Sequence, residues 1–249
     1  NGSMGMRGNF EEKYSGDSHR GTYLGGVWFP DKTRVGWWKN GYPKYFGKVI
    51  NAINMIGIDV VVDGVELDLA KLPILDFERE LDMETGALRR RVVLKHPKGE
   101  LRLECERFLS IVDRRILAIR YRLTPSFSAD VAMTAYLDGN VRNEDANYEE
   151  IFWDMLEQGQ AEDCGYVAVK TRDNPFDVPR FTACAAMHTQ FAGATITKWE
   201  MKPGYAGMRL SKRVLTGRSA ELEKLVALTT TRDMEEPELK KRALAALTA

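Results

Sequence analysis

The clearest indication of the fold class of this chain is the segment Ile58-Asp59-Val60-Val61-Val62-Asp63-Gly64-Val65-Glu66-Leu67-Asp68-Leu69. On both sides of Asp63-Gly64, apolar residues follow the period of two that is typical of a strand with one buried face. Asp-Gly is favoured at the centre of a two-residue hairpin, because both positions of that turn require a positive φ. The segment therefore predicts two antiparallel strands joined by a tight turn.

The same alternation continues to about residue 230. Further strands are predicted at 77–83, 88–95, 101–109, 115–123, 129–137, 165–170, 181–187, 194–200, 207–215 and 221–229. Short strands at even spacing, separated by Gly, Pro and Asp, are typical of a sandwich of antiparallel sheets. We therefore predict a mainly β protein in which residues 1–233 form one large antiparallel β-sandwich domain.

The last sixteen residues, 234–249, have a different pattern. Acidic residues and Pro237 come first and basic residues follow, which suits the dipole of a helix. Four apolar residues share one face of this helix: Leu239, Ala243, Ala246 and Leu247. Such a helix either docks on the sandwich or begins a linker into a further domain. We favour the linker, starting at residue 234.

The composition argues against several classes of partner. Lys and Arg together number 36, as do Asp and Glu, so no net charge favours nucleic acid or an anionic membrane. No apolar run is long enough to predict a membrane-spanning helix. Cys105, Cys164 and Cys184 are far apart and flanked by strand-like sequence, which predicts buried reduced thiols and a cytoplasmic protein. A disulfide between two of them is the alternative.

A polar loop after residue 137 is one candidate binding site. It concentrates amide, carboxylate and guanidinium groups at the end of a strand, from Asp138 to Tyr148. Such groups hydrogen-bond the hydroxyls of a sugar, so Arg142, Asn143 and Asp145 are candidate substrate-binding residues. The alternative is that these side chains form turns and caps within a structural loop.

An aromatic segment between glycines is the other candidate. Trp37, Trp38 and Tyr42 lie close to Gly36 and Gly41, with Tyr45 and Phe46 just beyond. An aromatic face can stack on the apolar face of a sugar ring, so these three residues are also candidate substrate-binding residues. The alternative is that they are buried in the core or in an interface.

Carboxylates alternate along the predicted strand at 77–83 and just before it. Asp76, Glu78, Glu80 and Asp82 therefore share one sheet face, with Phe77 and Arg79 on the other. A solvated face with cross-strand ion pairs is the favoured interpretation. We assign no catalytic residue to this chain.

The three histidines are scattered through the sequence. His19, His96 and His188 show no metal-ligand spacing with one another, and no Cys-x-x-Cys is present, so no metal site is predicted. For His188, an exposed or hydrogen-bonded structural histidine is favoured over an acid or base.

Four segments resemble, in order, the N-terminal domain of glycoside hydrolase family 65. They are residues 1–26, 35–43, 77–83 and 137–143, and the third contains the family-like sequence Arg79-Glu80-Leu81-Asp82. Glu104-x-Glu106-Arg107-Phe108 also fits the family. This family includes disaccharide phosphorylases that act on maltose, kojibiose and trehalose.

The resemblance implies a galactose-mutarotase-like super-sandwich followed by a helical linker and an (α/α)6 barrel. The barrel is expected to hold the proton donor and the site for inorganic phosphate, the co-substrate, and no cofactor is expected. The chain is then a non-catalytic domain, inactive alone, that supports its own barrel, helps form a homodimer and contributes to the rim of an α-glucodisaccharide site. A stand-alone carbohydrate-binding module and an aldose-epimerase-like enzyme are the alternatives. The linkage, and the choice between phosphorolysis and hydrolysis, stay open.

Overall fold

The structure, a computed structural model, describes residues 1–33, 41–143, 150–194 and 196–248. Antiparallel strands dominate these residues. The strands are β1 (Met4–Met6), β2 (Thr22–Leu24), β3 (Trp28–Lys32), β4 (Tyr45–Val49), β5 (Ile58–Val62), β6 (Val65–Glu66), β7 (Ile74–Asp82), β8 (Ala87–His96), β9 (Gly99–Leu109), β10 (Ile116–Pro125), β11 (Ala129–Asp138), β12 (Trp153–Ala161), β13 (Cys164–Thr171), β14 (Thr182–Phe191), β15 (Ile196–Lys202), β16 (Tyr205–Val214) and β17 (Ala220–Thr230).

Two large sheets form the sandwich within the described residues. The larger has eight strands in the order β12-β13-β14-β17-β10-β9-β8-β7, and the smaller has five in the order β15-β16-β11-β5-β6. Two short pairs, β1-β2 and β3-β4, lie outside them. Neighbouring strands in both sheets run antiparallel, which confirms the prediction of a large antiparallel β-super-sandwich.

The predicted hairpin is present at the start of the smaller sheet. Val62 pairs with Val65 across the turn, where Asp63 and Gly64 have φ of 46° and 82°. The carboxylate of Asp63 accepts a hydrogen bond from the Asp130 amide at 2.8 Å, which ties the turn to β11. The backbone conformation expected from Asp-Gly is therefore the one observed.

The apolar core lies between the two sheets. Along β8, Val92 and Leu94 are fully buried, whereas Arg91, which precedes them, faces solvent. Val60 and Met133 of the smaller sheet belong to the same buried cluster. Burial of each such side chain contributes about 1.5–3 kcal/mol, so this interface supplies most of the stabilisation of the sandwich.

One buried cation crosses the core. The Lys224 ammonium of β17 donates to the carbonyl of Tyr136 in β11 at 2.6 Å and to that of Gly57, just before β5, at 3.0 Å. A Cβ at Gly57 would lie 2.2 Å from the Tyr136 ring, so glycine permits the close approach of that ring. Burial lowers the pKa of Lys224 to about 7, although Asp59 and Glu11 oppose the shift.

The C-terminal helix packs against the outer face of the larger sheet. After a 3-10 turn at Glu236–Glu238, α1 spans Leu239–Ala245. Leu239 and Ala243 are buried against a cluster that includes Tyr166, Cys184 and Ala227. The hydroxyl of Thr229 donates to the Leu239 carbonyl at 2.9 Å. These contacts show that the helix docks on the sandwich, which was the less favoured of the two interpretations. A linker that begins at residue 234 stays a prediction.

The three cysteines are free and buried, as predicted. No helix in the described ranges is both long and apolar enough to span a bilayer.

Candidate functional site

A polar cavity of about 740 Å³ opens between the N-terminal segment and the end of β11. Its walls come from residues 9–22, 51–54 and 136–143. The lining side chains that carry hydrogen-bonding groups include Asn9, Asp17, Arg20, Asp138, Asn140 and Arg142. A cavity of this size and polarity suits a small ligand that presents many hydroxyl groups.

A turn at the end of β11 shapes one wall of this cavity. The Asp138 carboxylate accepts hydrogen bonds from the backbone amide and the side-chain amide of Asn140, at 2.9 and 3.0 Å. Gly139 between them has no space for a side chain, because a Cβ there would lie 2.8 Å from Val169 Cγ1. The turn chemistry that the sequence offered as an alternative is therefore present at Asp138 and Asn140.

Asn143 forms part of the cavity floor. Its Oδ1 accepts from the Asn51 amide at 2.8 Å, and its Nδ2 donates to the Val49 carbonyl at 3.0 Å. Asn51 in turn donates through Nδ2 to the Arg142 carbonyl at 2.9 Å. These bonds link residues 142 and 143 to the segment after β4. The predicted site residue Asn143 thus lines the cavity, with its amide engaged by the protein backbone.

Arg142 occupies the junction between two cavities. It lines the 740 Å³ cavity and also a neighbouring hollow of about 490 Å³, whose other walls come from residues 29–32, 150–152 and 172–176. Its side chain carries a positive charge, which suits contact with hydroxyl or phosphate oxygens. Among the predicted site residues, Arg142 is the one best placed to contact a ligand in either cavity.

Of the three aromatic candidates, only Tyr42 lies within the described residues. Tyr42 is 46 % exposed and makes an edge contact with Phe46, at 6.2 Å between ring centres. The adjacent Tyr45 packs on Phe176, a residue of the second hollow, at 4.7 Å. The predicted site residues Trp37, Trp38 and Asp145 lie outside the described residues. The structure thus places Tyr42 on the surface beside Phe46, whereas Tyr45 lies beside the second hollow.

A buried ionic cluster holds the opposite wall of the polar cavity. Arg90 of β8 binds both carboxylate oxygens of Glu12, at 2.7 and 2.6 Å, and one of Glu11 at 2.7 Å. Arg107 of β9 donates to Glu11 and to the Asn9 carbonyl. Burial alone would raise the pKa of Glu11, but Arg107 and Arg90 hold it below its usual value. The cluster fixes residues 9–12 to the larger sheet and so positions that wall.

The four alternating carboxylates of β7 do not contribute to this cavity. They are on the outer face of the larger sheet, where Glu78 pairs with Arg91 at 2.8 Å and Asp82 with Arg89 at 3.3 Å. Arg79, on the other face, donates to the Gly8 carbonyl at 2.8 Å. The prediction of a solvated face with cross-strand ion pairs is confirmed.

Two histidines have defined surroundings. His96 is buried and stacks on Phe127, with ring centres 5.0 Å apart. His188 lies on the outer face of β14, and its Nδ1 is 3.2 Å from Asp163 Oδ2. Neither contributes to the polar cavity.

Sequence reasoning did not single out Asn9, Asp17 and Arg20, which also line the cavity. These residues occupy an irregular segment, so no strand or helix period indicated where they would face. The feature of the sequence that could have indicated them is the glycine-rich, polar composition of residues 16–21, just before β2.

Comparisons with known proteins agree on one family. The model of the glycosyl hydrolase family 65 N-terminal domain matches residues 1–249. The chain is 49% identical to the maltose phosphorylase of Bacillus subtilis over 244 residues, which are 98% of this chain and 32% of that protein. It is 34% identical to the alpha,alpha-trehalose phosphorylase of Thermoanaerobacter brockii over 148 residues, 57% of this chain and 19% of that protein.

A solved structure shows the same fold. It is a protein from the human microbiome described as a candidate kojibiose phosphorylase, with a TM-score of 0.88 and 19% identity. The superposition covers 100% of this chain and 32% of that one, so the chain spans about a third of the length of such proteins. Because the family model matches the whole chain, the protein belongs to glycosyl hydrolase family 65 and comprises its N-terminal domain.

Proposed function

We propose that this chain is the non-catalytic N-terminal domain of a phosphorylase that acts on an α-linked glucodisaccharide. The 49% identity to a maltose phosphorylase favours maltose as the sugar and inorganic phosphate as the co-substrate. The buried free thiols further support a cytoplasmic location.

The polar cavity with Arg142 at its junction carries this proposal. Inverting phosphorolysis requires an acid that protonates the glycosidic oxygen while phosphate attacks from the opposite side of the sugar. We assign both of those tasks to a catalytic barrel that follows this domain. The task left to this chain is to orient the sugar from the rim of the site, and a guanidinium does so by donating to hydroxyl or phosphate oxygens.

Exposed apolar side chains support a second role, in assembly. Ile111 and Val112, in the turn between β9 and β10, are 78 % and 97 % exposed, and Leu81 and Met83 at one end of β7 are also exposed. Apolar groups of this kind are commonly covered by a partner surface. We propose that such surfaces pack on the catalytic barrel or on a second copy in a homodimer.

A chimera tests the proposal. Residues 1–249 replace the corresponding N-terminal third of the B. subtilis maltose phosphorylase, and phosphate-dependent release of glucose 1-phosphate from maltose is measured. We expect an active chimera, and no turnover by the 249-residue chain alone. Turnover by the isolated chain would refute the non-catalytic assignment.

Within the chimera, Arg142→Ala tests the rim role. Loss of a hydrogen bond from a charged donor is expected to raise KM for maltose or phosphate about ten- to hundredfold with little change in kcat. The matched control is Arg91→Ala, because Arg91 lies on the distant outer face. Equal KM values for the two variants would show that Arg142 does not contact the sugar or the phosphate.

A stand-alone carbohydrate-binding module is the competing function, and the polarity of the cavity favours it as well. Calorimetry of the isolated chain with maltose, kojibiose and trehalose separates the two. Saturable heat that Arg142→Ala abolishes would support the module. We expect no saturable heat, because the other half of the sugar site is assigned to the barrel.

A further inference from the structure

We infer that Asp163, Cys164 and His188 form a binding site for a divalent transition metal of the zinc class. In the described part of the chain, this is the single group of three or more Cys, His and carboxylate ligands whose ligand atoms all lie within 4.8 Å of one another. The site lies on the outer face of the larger sheet, away from the polar cavity.

Strand pairing creates the group. Cys164 is the first residue of β13, and it lies directly opposite His188 of β14 in the antiparallel register. Asp163 belongs to the two-residue turn between β12 and β13, where Ala161 pairs with Cys164. A turn and a cross-strand pair therefore hold the three ligands on a rigid part of the backbone.

The distances suit tetrahedral coordination. His188 Nδ1 is 3.2 Å from Asp163 Oδ2, and Cys164 Sγ is 3.7 Å from Asp163 Oδ1. With usual zinc–ligand bond lengths, a tetrahedron has nitrogen–oxygen edges of about 3.4 Å and sulfur–oxygen edges of about 3.6 Å. The two observed separations, one to each oxygen of the Asp163 carboxylate, are of the size of such edges, and all three ligand atoms lie within 4.8 Å of one another.

The types of ligand and their exposure point to the same class of metal. Thiolate, imidazole and carboxylate together favour zinc and its neighbours over calcium or magnesium, which prefer oxygen alone. The Asp163 side chain is 64% exposed and that of His188 is 20% exposed, so an ion can enter from solvent. Three protein ligands leave a fourth position for water or for a small donor molecule.

A neighbouring amide is placed to orient the imidazole. The side-chain nitrogen of Gln190 is 3.2 Å from His188 Nε2. When Nδ1 binds a metal, Nε2 carries the proton, and a rotation of the Gln190 amide by half a turn presents its oxygen as the acceptor. Support of this kind from outside the ligand set is typical of metal-binding histidines.

Titration of the 249-residue chain with Co²⁺ and Zn²⁺ tests the inference. We expect one Co²⁺ per chain, a sulfur-to-cobalt charge-transfer band, and displacement of that band by Zn²⁺. Cys164→Ser should abolish the band, and Asp163→Asn should weaken binding by about tenfold or more. Asp163→Asn alters an exposed turn, so it tests the site even if the Cys164 variant does not fold.

Two matched variants serve as controls. Cys184→Ser removes a thiol that α1 covers on the same sheet face, and Asp173→Asn removes a carboxylate that is 90% exposed. Both should retain the band and the affinity of the wild-type chain. Absence of a charge-transfer band in the wild-type chain, or its equal loss in Cys164→Ser and Cys184→Ser, would overturn the inference.

Discussion

Arg90 and Arg91 are neighbours on β8, yet they occupy two opposite electrostatic environments. The Arg90 side chain is 4% exposed and binds two buried glutamates that hold the N-terminal wall of the cavity. The Arg91 side chain is 52% exposed and pairs with Glu78 in the solvated rows of charge on the outer face. The period of the strand alone separates the two residues, so burial rather than residue type determines what each ion pair contributes.

The strongest test of this comparison is Arg90→Ala. Removal of the Arg90 guanidinium leaves Glu11 and Glu12 with one fewer buried cation. We therefore expect the free energy of unfolding to fall by about 3–5 kcal/mol. Urea denaturation followed by circular dichroism measures the change. A loss below about 1 kcal/mol would show that the buried cluster contributes no more than a surface pair. Arg90→Lys, which keeps the charge but not the bidentate geometry, should fall between wild type and Arg90→Ala.

Lys224 extends the comparison to a buried cation that donates to carbonyl groups. Its pKa of about 7 lies below the ordinary 10.5, so between these values the unfolded chain binds more protons at this residue than the folded chain does. The free energy of unfolding therefore rises with pH in this window, by up to about 1.4 kcal/mol per pH unit. Below pH 7 Lys224 is protonated in both the folded and the unfolded chain, so it no longer contributes to the pH dependence of the free energy of unfolding.

Lys224→Met should remove that pH dependence. From pH 7 to pH 8.5 we expect the free energy of unfolding of the wild type to rise relative to that of the variant. Urea denaturation at several pH values measures both free energies. Parallel pH profiles for the two proteins would show that Lys224 does not titrate in this range.

The smallest effect is expected for Arg91→Ala. Exposed ion pairs contribute between 0 and about 1 kcal/mol, and salt screens them. Thermal unfolding at low and at high salt should therefore show a small destabilisation that shrinks as salt is added. A loss as large as that of Arg90→Ala would remove the distinction between the two faces of β8.

Strands with clear alternation were predictable from the sequence, and β12 was not. Residues 129–137 and 221–229 were predicted as strands and form β11 and β17 within one residue at each end. Residues 153–161 form the edge strand β12, whose polar side chains and shifted register between Met155 and Glu157 hide the period of two. An edge strand faces solvent on more sides than a central one, so its sequence is less constrained to alternate.

The candidate site was predictable only in part. The loop after β11 was identified from its polar composition, and Arg142 and Asn143 do line the cavity. The hydrogen bonds of Asn143 to Asn51 and Val49 join residues about ninety positions apart, which no local pattern specifies. The same holds for Cys164 and His188, whose proximity comes from strand pairing and not from any ligand spacing along the chain.

The fold class, the hairpin at Asp63-Gly64 and the two faces of each regular strand follow from local sequence patterns, because they depend on backbone preferences and on periods of a few residues. The order of the strands became apparent only in the folded molecule, where β17, near the end of the chain, lies between β14 and β10 in the larger sheet. The docking of α1, the bonds of Lys224 across the core and the shared cavity of residues 9–22 and Arg142 were likewise visible only there. Each of these depends on contacts between distant segments, whose free energy is set by how the two sheets pack rather than by any single stretch of sequence.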